Sequence, residues 1–452
     1  MLTGTDPLWW DEAAKSVPAG SPPSRCDVVI VGAGFTGLWT AYYLLRDRPD
    51  LDIVLVEAEH VGFGASGRNG GWVSALWPVA PATLAARSGR EATLAMLTEL
   101  RHTVLEVGEV CQAEGIDAGY HRGGTIVLAR NDAQVRRAHA VWAAGASWGD
   151  GTEWLDAEAA RARLAAVDAL GATFNPHCAR IQPRALADGL ASVVRAGGAR
   201  IVEGTSVRRI RPGAVTLASG ATISARHVIR ATEAWSATLP ESRRAVAPIY
   251  SLMVATEPLT QSQWQRIGLA DREVFADHGH VVIYGQRTTD GRIAFGGRGA
   301  PYHFGSAIKP GHDHDARVFA SLHQSLIGLL PQLESVAFTH AWGGPLGIPR
   351  DWHPSVNYDP LTGLGHAGGY VGDGVAATNL AGRTLATLIL GAPSPLRDLP
   401  WVGHRSPRWE REPARWLGVN AGLRLAHWAD AEEACTRRPA LLGRVLGRLT
   451  GH

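Results

Sequence analysis

The run Val31-Gly32-Ala33-Gly34-Phe35-Thr36-Gly37 constrains this chain more than any other feature. It follows Cys26 to Val31, which reads as a buried parallel strand, and it opens Gly37 to Leu45, which reads as a helix packed on that strand. A second strand, Asp52 to Glu57, completes a βαβ unit. In GxGxxG the first glycine permits a tight turn, the second lets a pyrophosphate approach the backbone, and the third lets helix and strand close up. Backbone amides and the helix dipole then hold the anion. Glu57 stands 20 residues past Gly37, where a carboxylate at a strand end accepts hydrogen bonds from both ribose hydroxyls and repels a 2′-phosphate. Glycines alone serve any tight strand–helix turn. Strand, helix and acid together predict a dinucleotide site for FAD or NAD rather than NADP.

Composition frames that unit. At 452 residues, 45% hydrophobic and 19% charged, the chain is expected to fold as two interleaved domains. Its 44 basic and 42 acidic residues leave a formal net charge of +2, so no global field draws in nucleic acid or an acidic membrane. Cys26, Cys111, Cys178 and Cys435 show neither CxxC spacing nor a paired framework, as expected of a reduced, cytosolic setting. Residues 1–25 lack the basic start and apolar run of a signal peptide, and no stretch approaches the ~18 apolar residues of a membrane span. A soluble, cytoplasmic protein without membrane insertion is therefore expected, and no metal site is. Lys15 and Lys309 are the only lysines, which reads as a coding bias toward arginine.

Beyond Gly71 the chain alternates helices and strands. Ala82 to Glu114 carries apolar residues at three- and four-residue steps and reads as a helical block that leaves the nucleotide unit. Gly124 to Ala129 reads as a strand and Trp154 to Leu164 as a helix; Arg184 to Ala231 reads as a helix followed by short strands returning to the nucleotide unit. From Ile249 to Arg298, apolar runs between turns suggest an antiparallel sheet suited to a substrate domain. His314 to Leu330 reads as a helix, and Gly363 to Gly391 as strand, glycine turn and long helix. The resulting partition is an N-terminal extension (1–25), a discontinuous nucleotide-binding domain (26–80, 150–245 and 340–400), a substrate domain (81–149 and 246–339) and a C-terminal arm (401–452). In the arm Trp401, Trp409 and Trp416 stand among Arg405, Arg408, Arg411 and Arg415. A membrane or nucleic-acid surface uses such residues; so does a docked arm, which is the expectation.

Gly62 to Trp72 reads G-F-G-A-S-G-R-N-G-G-W, a loop whose small residues let backbone amides reach a second part of a long cofactor. V-G-A-G-F-T-G, the acidic strand end and this loop together resemble the D-amino-acid-oxidase-like flavoproteins, the group of glycine oxidase and sarcosine oxidase. The resemblance continues through G-Y-H-R-G-G-T, Y-S-L-M-V-A-T-E-P, A-F-G-G-R-G-A-P-Y, W-G-G-P-L-G and G-G-Y-V-G-D-G-V, from about Asp27 to Trp401. It implies an α/β fold in which a Rossmann-like FAD-binding domain is interleaved with an antiparallel-sheet substrate domain. It also implies FAD contacts at Gly32, Ala33, Gly34, Phe35, Thr36, Gly37, Glu57 and Ala58, and in the early loop at Gly64, Ala65, Ser66, Arg68, Asn69, Gly70, Gly71 and Trp72. Further contacts are implied at Val207, Ala231, Thr232, Trp235, Gly343, Gly369, Tyr370, Gly372, Asp373 and Gly374. Two departures stand out. Glu233 occupies a place where many such flavoproteins have glycine, and the places where relatives tether flavin through cysteine or histidine hold Trp-Gly-Gly-Pro (Trp342 to Pro345) and Arg68, so the FAD is expected to be non-covalent.

The family's reaction moves a hydride from a carbon bearing an amine to the flavin, with no obligatory catalytic acid. The resemblance thus implies a small amine or amino-acid substrate and oxygen as acceptor. A dehydrogenase using a quinone or protein acceptor, or a non-catalytic flavin protein, stays open. No lysine stands in A-F-G-G-R-G, where sarcosine oxidases use one toward oxygen; Arg298 can supply the charge, or serve as an ordinary salt-bridged arginine. Arg68 and Arg298 are candidate anchors for a substrate carboxylate. Tyr250, Tyr284, Trp342 and Tyr370 can cage an aliphatic amine, and each serves equally well as a core residue. His121, His303 and His366 can accept an amine proton or be ordinary hydrogen-bonded histidines.

Overall fold

The computed structural model describes residues 6–11 and 20–440. Its centre is the unit read from the sequence: β1 (Arg25–Val31), α1 (Phe35–Asp47) and β2 (Ile53–Val56). Val28, Val29 and Ile30 are fully buried, because β1 is covered on both faces and flanked on both edges, and such strands are apolar without alternation. β1 pairs in parallel with β2 on one side and with Thr222–Arg230 on the other. Arg200–Val202 extends the sheet beyond β2, and Leu364–Gly368 extends it beyond Thr222–Arg230, both in parallel. Ser355–Asp359 closes that edge antiparallel, and the ribbon Val207–Arg211 with Ala214–Leu217 folds onto Thr222–Arg230. A sheet drawn from three distant stretches of chain thus surrounds the glycine turn.

The second sheet runs in the order Phe338–Ile348, Ala247–Thr256, Ile293–Arg298, Ile283–Arg287, Val274–Asp277, Thr125–Ala129, Gly171–Asn175, Glu153–Asp156. All its neighbours are antiparallel except Val274–Asp277 and Thr125–Ala129. Three strands expected with the nucleotide sheet lie here instead. Glu153–Asp156 begins the stretch read as a helix, and the helix itself is Ala157–Arg163. Asp156 caps that helix, and Ala160, Leu164 and Ala172 bury against Ile126 and Leu128, which draws both short strands to this sheet. Phe338–Ile348 runs along the whole of Ala247–Thr256.

The helix Arg90–Ala113 does not leave the nucleotide side as its sequence suggested. Its stripe of Met96, Leu100, Val104 and Val107 lies in one core with α1 and with Gly374–Leu390. Arg383 ties Gly374–Leu390 to Arg90–Ala113 through Glu99, and Asn379 of the same helix donates to the Tyr43 hydroxyl of α1 at 2.8 Å. The C-terminal arm docks: Trp401 is fully buried, and buried Trp409 donates its indole N–H to the Ile348 carbonyl at 2.7 Å, while Trp416 is exposed. Among the described residues no helix is long and apolar enough to cross a membrane.

α1 and Gly374–Leu390 meet at Gly382, where an added Cβ would stand 2.6 Å from Trp39 Cβ and 2.7 Å from its carbonyl carbon. Overpacking of this kind costs about 1–3 kcal/mol, against at most ~1 kcal/mol regained from helix propensity. Gly382→Ala is expected to lower the thermal midpoint by a few degrees in differential scanning calorimetry.

Candidate active site

The three glycines of the turn are held for separate reasons. Gly32 sits at φ +107° with its Cα against the Ala231 carbonyl, where a Cβ would come within 2.5 Å. A Cβ on Gly37 would overlap the Gly32 carbonyl, so that glycine sets how closely α1 approaches β1. Gly34 admits Ser66: its Cβ would lie 2.9 Å from Ser66 Oγ, the hydroxyl that accepts the Phe35 amide at 2.8 Å. The second glycine, read as making room for a pyrophosphate, thus also makes room for the early loop. At the end of β2, Glu57 accepts the Ala33 amide at 2.9 Å and the Glu59 amide at 3.1 Å. Burial pushes its carboxyl up, and those amides with that of Ala58 pull it back.

A cavity of about 290 Å³ runs over this turn. Of the residues read as cofactor contacts, Gly32, Gly34, Phe35, Thr36, Glu57, Ala58, Gly64, Ala65, Ser66, Asn69, Val207, Ala231, Thr232, Trp235, Tyr370, Gly372 and Gly374 line it. Its lining holds three carboxylates, Glu57, Glu59 and Glu233, and no basic side chain. A diphosphate here would rest on amide dipoles: those of the first turn of α1, which lack a carbonyl one turn earlier, and those of the glycine segments. The lining therefore fits the adenosine diphosphate part of a flavin dinucleotide, whose ribose Glu57 would face.

Arg68, Gly70, Trp72 and Asp373 line a second cavity instead, of about 600 Å³. Ala65, Asn69, Leu346, Gly372 and Val375 line both, so the two spaces share a wall. Arg68 is largely buried; Nε donates to the Phe63 carbonyl at 2.8 Å, and Nη1 donates to Asp313 at 2.9 Å and to the Gly343 carbonyl at 3.0 Å. The Trp10 and Phe63 rings lie 4.6 and 4.7 Å from its guanidinium carbon, and among the described residues its Nη2 has no protein partner. Of the aromatic candidates, Tyr284 lines this cavity, its hydroxyl 2.9 Å from Ser251 Oγ.

Several readings are corrected by position. Trp342 is fully buried behind the early loop, and its indole donates to the Arg68 carbonyl at 2.9 Å rather than facing either cavity. Tyr250 is buried beside His303 and His312, whose rings stack 3.6 Å apart. Tyr370 faces the first cavity, not the second, and its hydroxyl meets Thr36 Oγ1 at 2.9 Å. Ala33, Gly37, Gly71, Gly343 and Gly369 line neither space. Ala33 and Gly37 shape the turn; Gly71 packs on Gln286 and the Ile181 carbonyl, Gly343 on Leu252, and Gly369 on Pro349. The side chain of Arg298 lies outside the described residues; its backbone pairs with Ser251. His366 is half-buried, and desolvation pushes it down to about 3, so it stays neutral near neutral pH. His121 bridges to Arg180 through backbone and lines neither cavity.

Sequence reading missed Leu346, Ser251, His280 and Arg137. Arg137 and His280 line the second cavity and both bond Glu433, at 2.7 and 2.9 Å, a buried carboxylate of the C-terminal helix Ala414–Thr436. Nothing local marks them, since their partner stands 296 and 153 residues away. Glu233 was marked only as a departure. At φ +42° it accepts the Gly347 amide at 2.6 Å, the Gly369 amide at 3.1 Å and the Tyr370 amide at 3.2 Å. Burial pushes its carboxyl up to about 7 against the pull of those amides.

The chain matches the family described as FAD dependent oxidoreductase (DAO) over residues 27–388. It is 30% identical over 378 residues to gamma-glutamylputrescine oxidoreductase of Escherichia coli (strain K12), covering 81% of this chain and 84% of that one. It is 26% identical over 381 residues to glycine oxidase of Geobacillus kaustophilus, covering 81% and 93%. The crystal structure of the latter superposes with a TM-score of 0.69 at 22% identity, over 84% of this chain and all of that one. L-proline dehydrogenase from P. horikoshii superposes with a TM-score of 0.68 at 18% identity, over 84% and 98%.

A carboxyl held near 7 in the fold, above its ordinary 4.5, contributes stability that is full below about pH 4.5 and is lost as pH rises through about 7. The thermal midpoint of flavin-free protein is expected to fall over this interval, and Glu233→Gln is expected to remove that part of the slope in melts across a pH series.

Proposed function

Because the chain belongs to the DAO family of FAD-dependent oxidoreductases, we propose that it oxidises the C–N bond of a small amine or amino acid, with oxygen as the acceptor and an imine and hydrogen peroxide as products. The observation that carries this reading is the wall shared by the two cavities: a cofactor laid from the glycine turn would end where the second cavity begins. Bound FAD, non-covalently held, would supply the redox chemistry by taking a hydride from the carbon that bears the amine.

The protein's part is binding, orientation and electrostatics. Gly372, Asp373 and Gly374 lead into the helix Gly374–Leu390, whose first-turn amides would favour negative charge placed beside them. Leu76, Val127, Ala276, Val282 and Ile283 give the second cavity apolar walls that suit the alkyl part of an amine. Arg68 Nη2, fixed in direction by the bonds on the other nitrogens, suits a substrate carboxylate. Largely buried Arg68 also offers positive charge toward oxygen. A dehydrogenase passing electrons to a quinone or protein is the second reading, favoured by the absence of lysine from Ile293–Arg298.

The test is a peroxide-release screen of flavin-loaded protein against polyamines, gamma-glutamyl amines, N-methyl amino acids and D-amino acids. One strong response with peroxide is expected; anaerobic bleaching of the flavin without peroxide under air would replace oxidase with dehydrogenase, and bleaching by no amine would sink the reading. Charge-assisted hydrogen bonds are worth about 1.5–3 kcal/mol. Arg68→Lys is thus expected to raise KM about 10- to 100-fold for substrates bearing a carboxylate and to leave carboxylate-free amines nearly unaffected in steady-state kinetics.

A further inference from the structure

The early loop faces both cavities, and each of its carbonyls from Ala65 to Gly71 has a donor. Asn69 Nδ2 donates to the carbonyls of Ala65 and Ser66, Gln286 Nε2 to Gly70 at 2.8 Å, and the Ile181 amide to Gly71 at 2.8 Å. The three between are held by indoles: Trp10 donates to Gly67 at 3.2 Å, Trp342 to Arg68 at 2.9 Å and Trp9 to Asn69 at 2.8 Å. Among the described residues the amides of Ala65, Ser66, Asn69 and Gly70 donate to no protein acceptor, and these four residues line the cavities.

Carbonyl and amide of one peptide plane point in opposite directions. A donor on the Asn69 carbonyl therefore sets the Gly70 amide, and one on the Arg68 carbonyl sets the Asn69 amide. Gly70 and Gly71 leave this backbone free to rotate otherwise. An indole N–H is donor only, so it holds a carbonyl in a single sense. Trp9 is 2% exposed and meets Trp342 edge to face at 6.0 Å; Trp10 covers Arg68 at 4.6 Å. Both stand in Leu8–Trp10, ahead of the family-matched residues 27–388.

We propose that Trp9 is a positioning residue: with Trp342 it turns the carbonyls of Asn69 and Arg68 away from the cofactor and so aims the amides of Gly70 and Asn69 at the flavin end of FAD, while Trp10, on the Gly67 carbonyl, sets only the Arg68 amide, which donates to the Ala65 carbonyl. A segment outside the family-matched region then determines how this protein holds its cofactor. The proposal rests on the assignment of the first cavity to FAD.

The test uses the full chain with Trp9→Phe, Trp10→Phe and both together, each keeping a ring and removing the N–H. Leu8→Ala, in the same core cluster as Trp9 but with no side-chain hydrogen bond, is the packing control. FAD affinity is read from flavin fluorescence on titrating flavin-free protein, alongside the visible circular dichroism of the bound flavin and the thermal midpoint without flavin. Trp9→Phe is expected to weaken FAD about tenfold and to change the dichroism. Trp10→Phe is expected to do so less, and Leu8→Ala to lower only the midpoint. Unchanged affinity and dichroism in the double variant, or an equal loss in Leu8→Ala, would overturn the proposal while leaving the family assignment intact. Wild-type protein that takes up no FAD would overturn both.

Discussion

The cavity over the glycine turn is lined by three carboxyl groups and by no basic side chain. Two phosphates can settle there only where backbone N–H groups converge, so the fold is organised around presenting amides. α1 meets this need by lying close against β1 at Gly37, which brings its first turn to the end of the sheet. The early loop meets it by fixing its carbonyls elsewhere, and the segment before Gly374–Leu390 by ending at a helix start. Placement of backbone does here what arginine or lysine does in many anion sites.

Presenting amides from distant segments requires that these be held to one another. Phe338–Ile348 does much of this: it belongs to the second sheet, yet its Gly347 amide reaches Glu233 at the end of the first. The same carboxylate takes the amides of Gly369 and Tyr370, so three strand ends meet on one side chain. Arg68 joins the early loop to this strand through the Gly343 carbonyl, and the C-terminal helix holds Arg137 and His280 at the second cavity.

The βαβ unit, the antiparallel character of Ile249 to Arg298 and the glycine turn before Gly374–Leu390 were legible because their signals are local: periodicity, an acid at a strand end, glycines at a tight contact. Glu57 is such a case, since strand and turn alone bring it to Ala33. Trp342 and Tyr250 were illegible as to direction, because a strand residue faces whichever side the rest of the fold covers. Arg137, Glu433 and the indoles of Trp9 and Trp10 were illegible for another reason: each acts on a group remote in the chain, and no short pattern records that. The short strands at 153–156 and 171–175 joined the second sheet through a core formed with Ile126 and Leu128, which their own few residues do not specify.

Glu233 has a consequence for how this chain can vary. Its Oε2 lies where any Cβ on Gly347 would have to stand, while its own backbone keeps a left-handed conformation that glycine adopts more readily. The two positions, 114 apart in the chain, are therefore coupled. A side chain at 347 would displace the acid at 233 from the amides it gathers, and would still meet the Ala234 amide at 3.1 Å, so a change at either position is felt at the other.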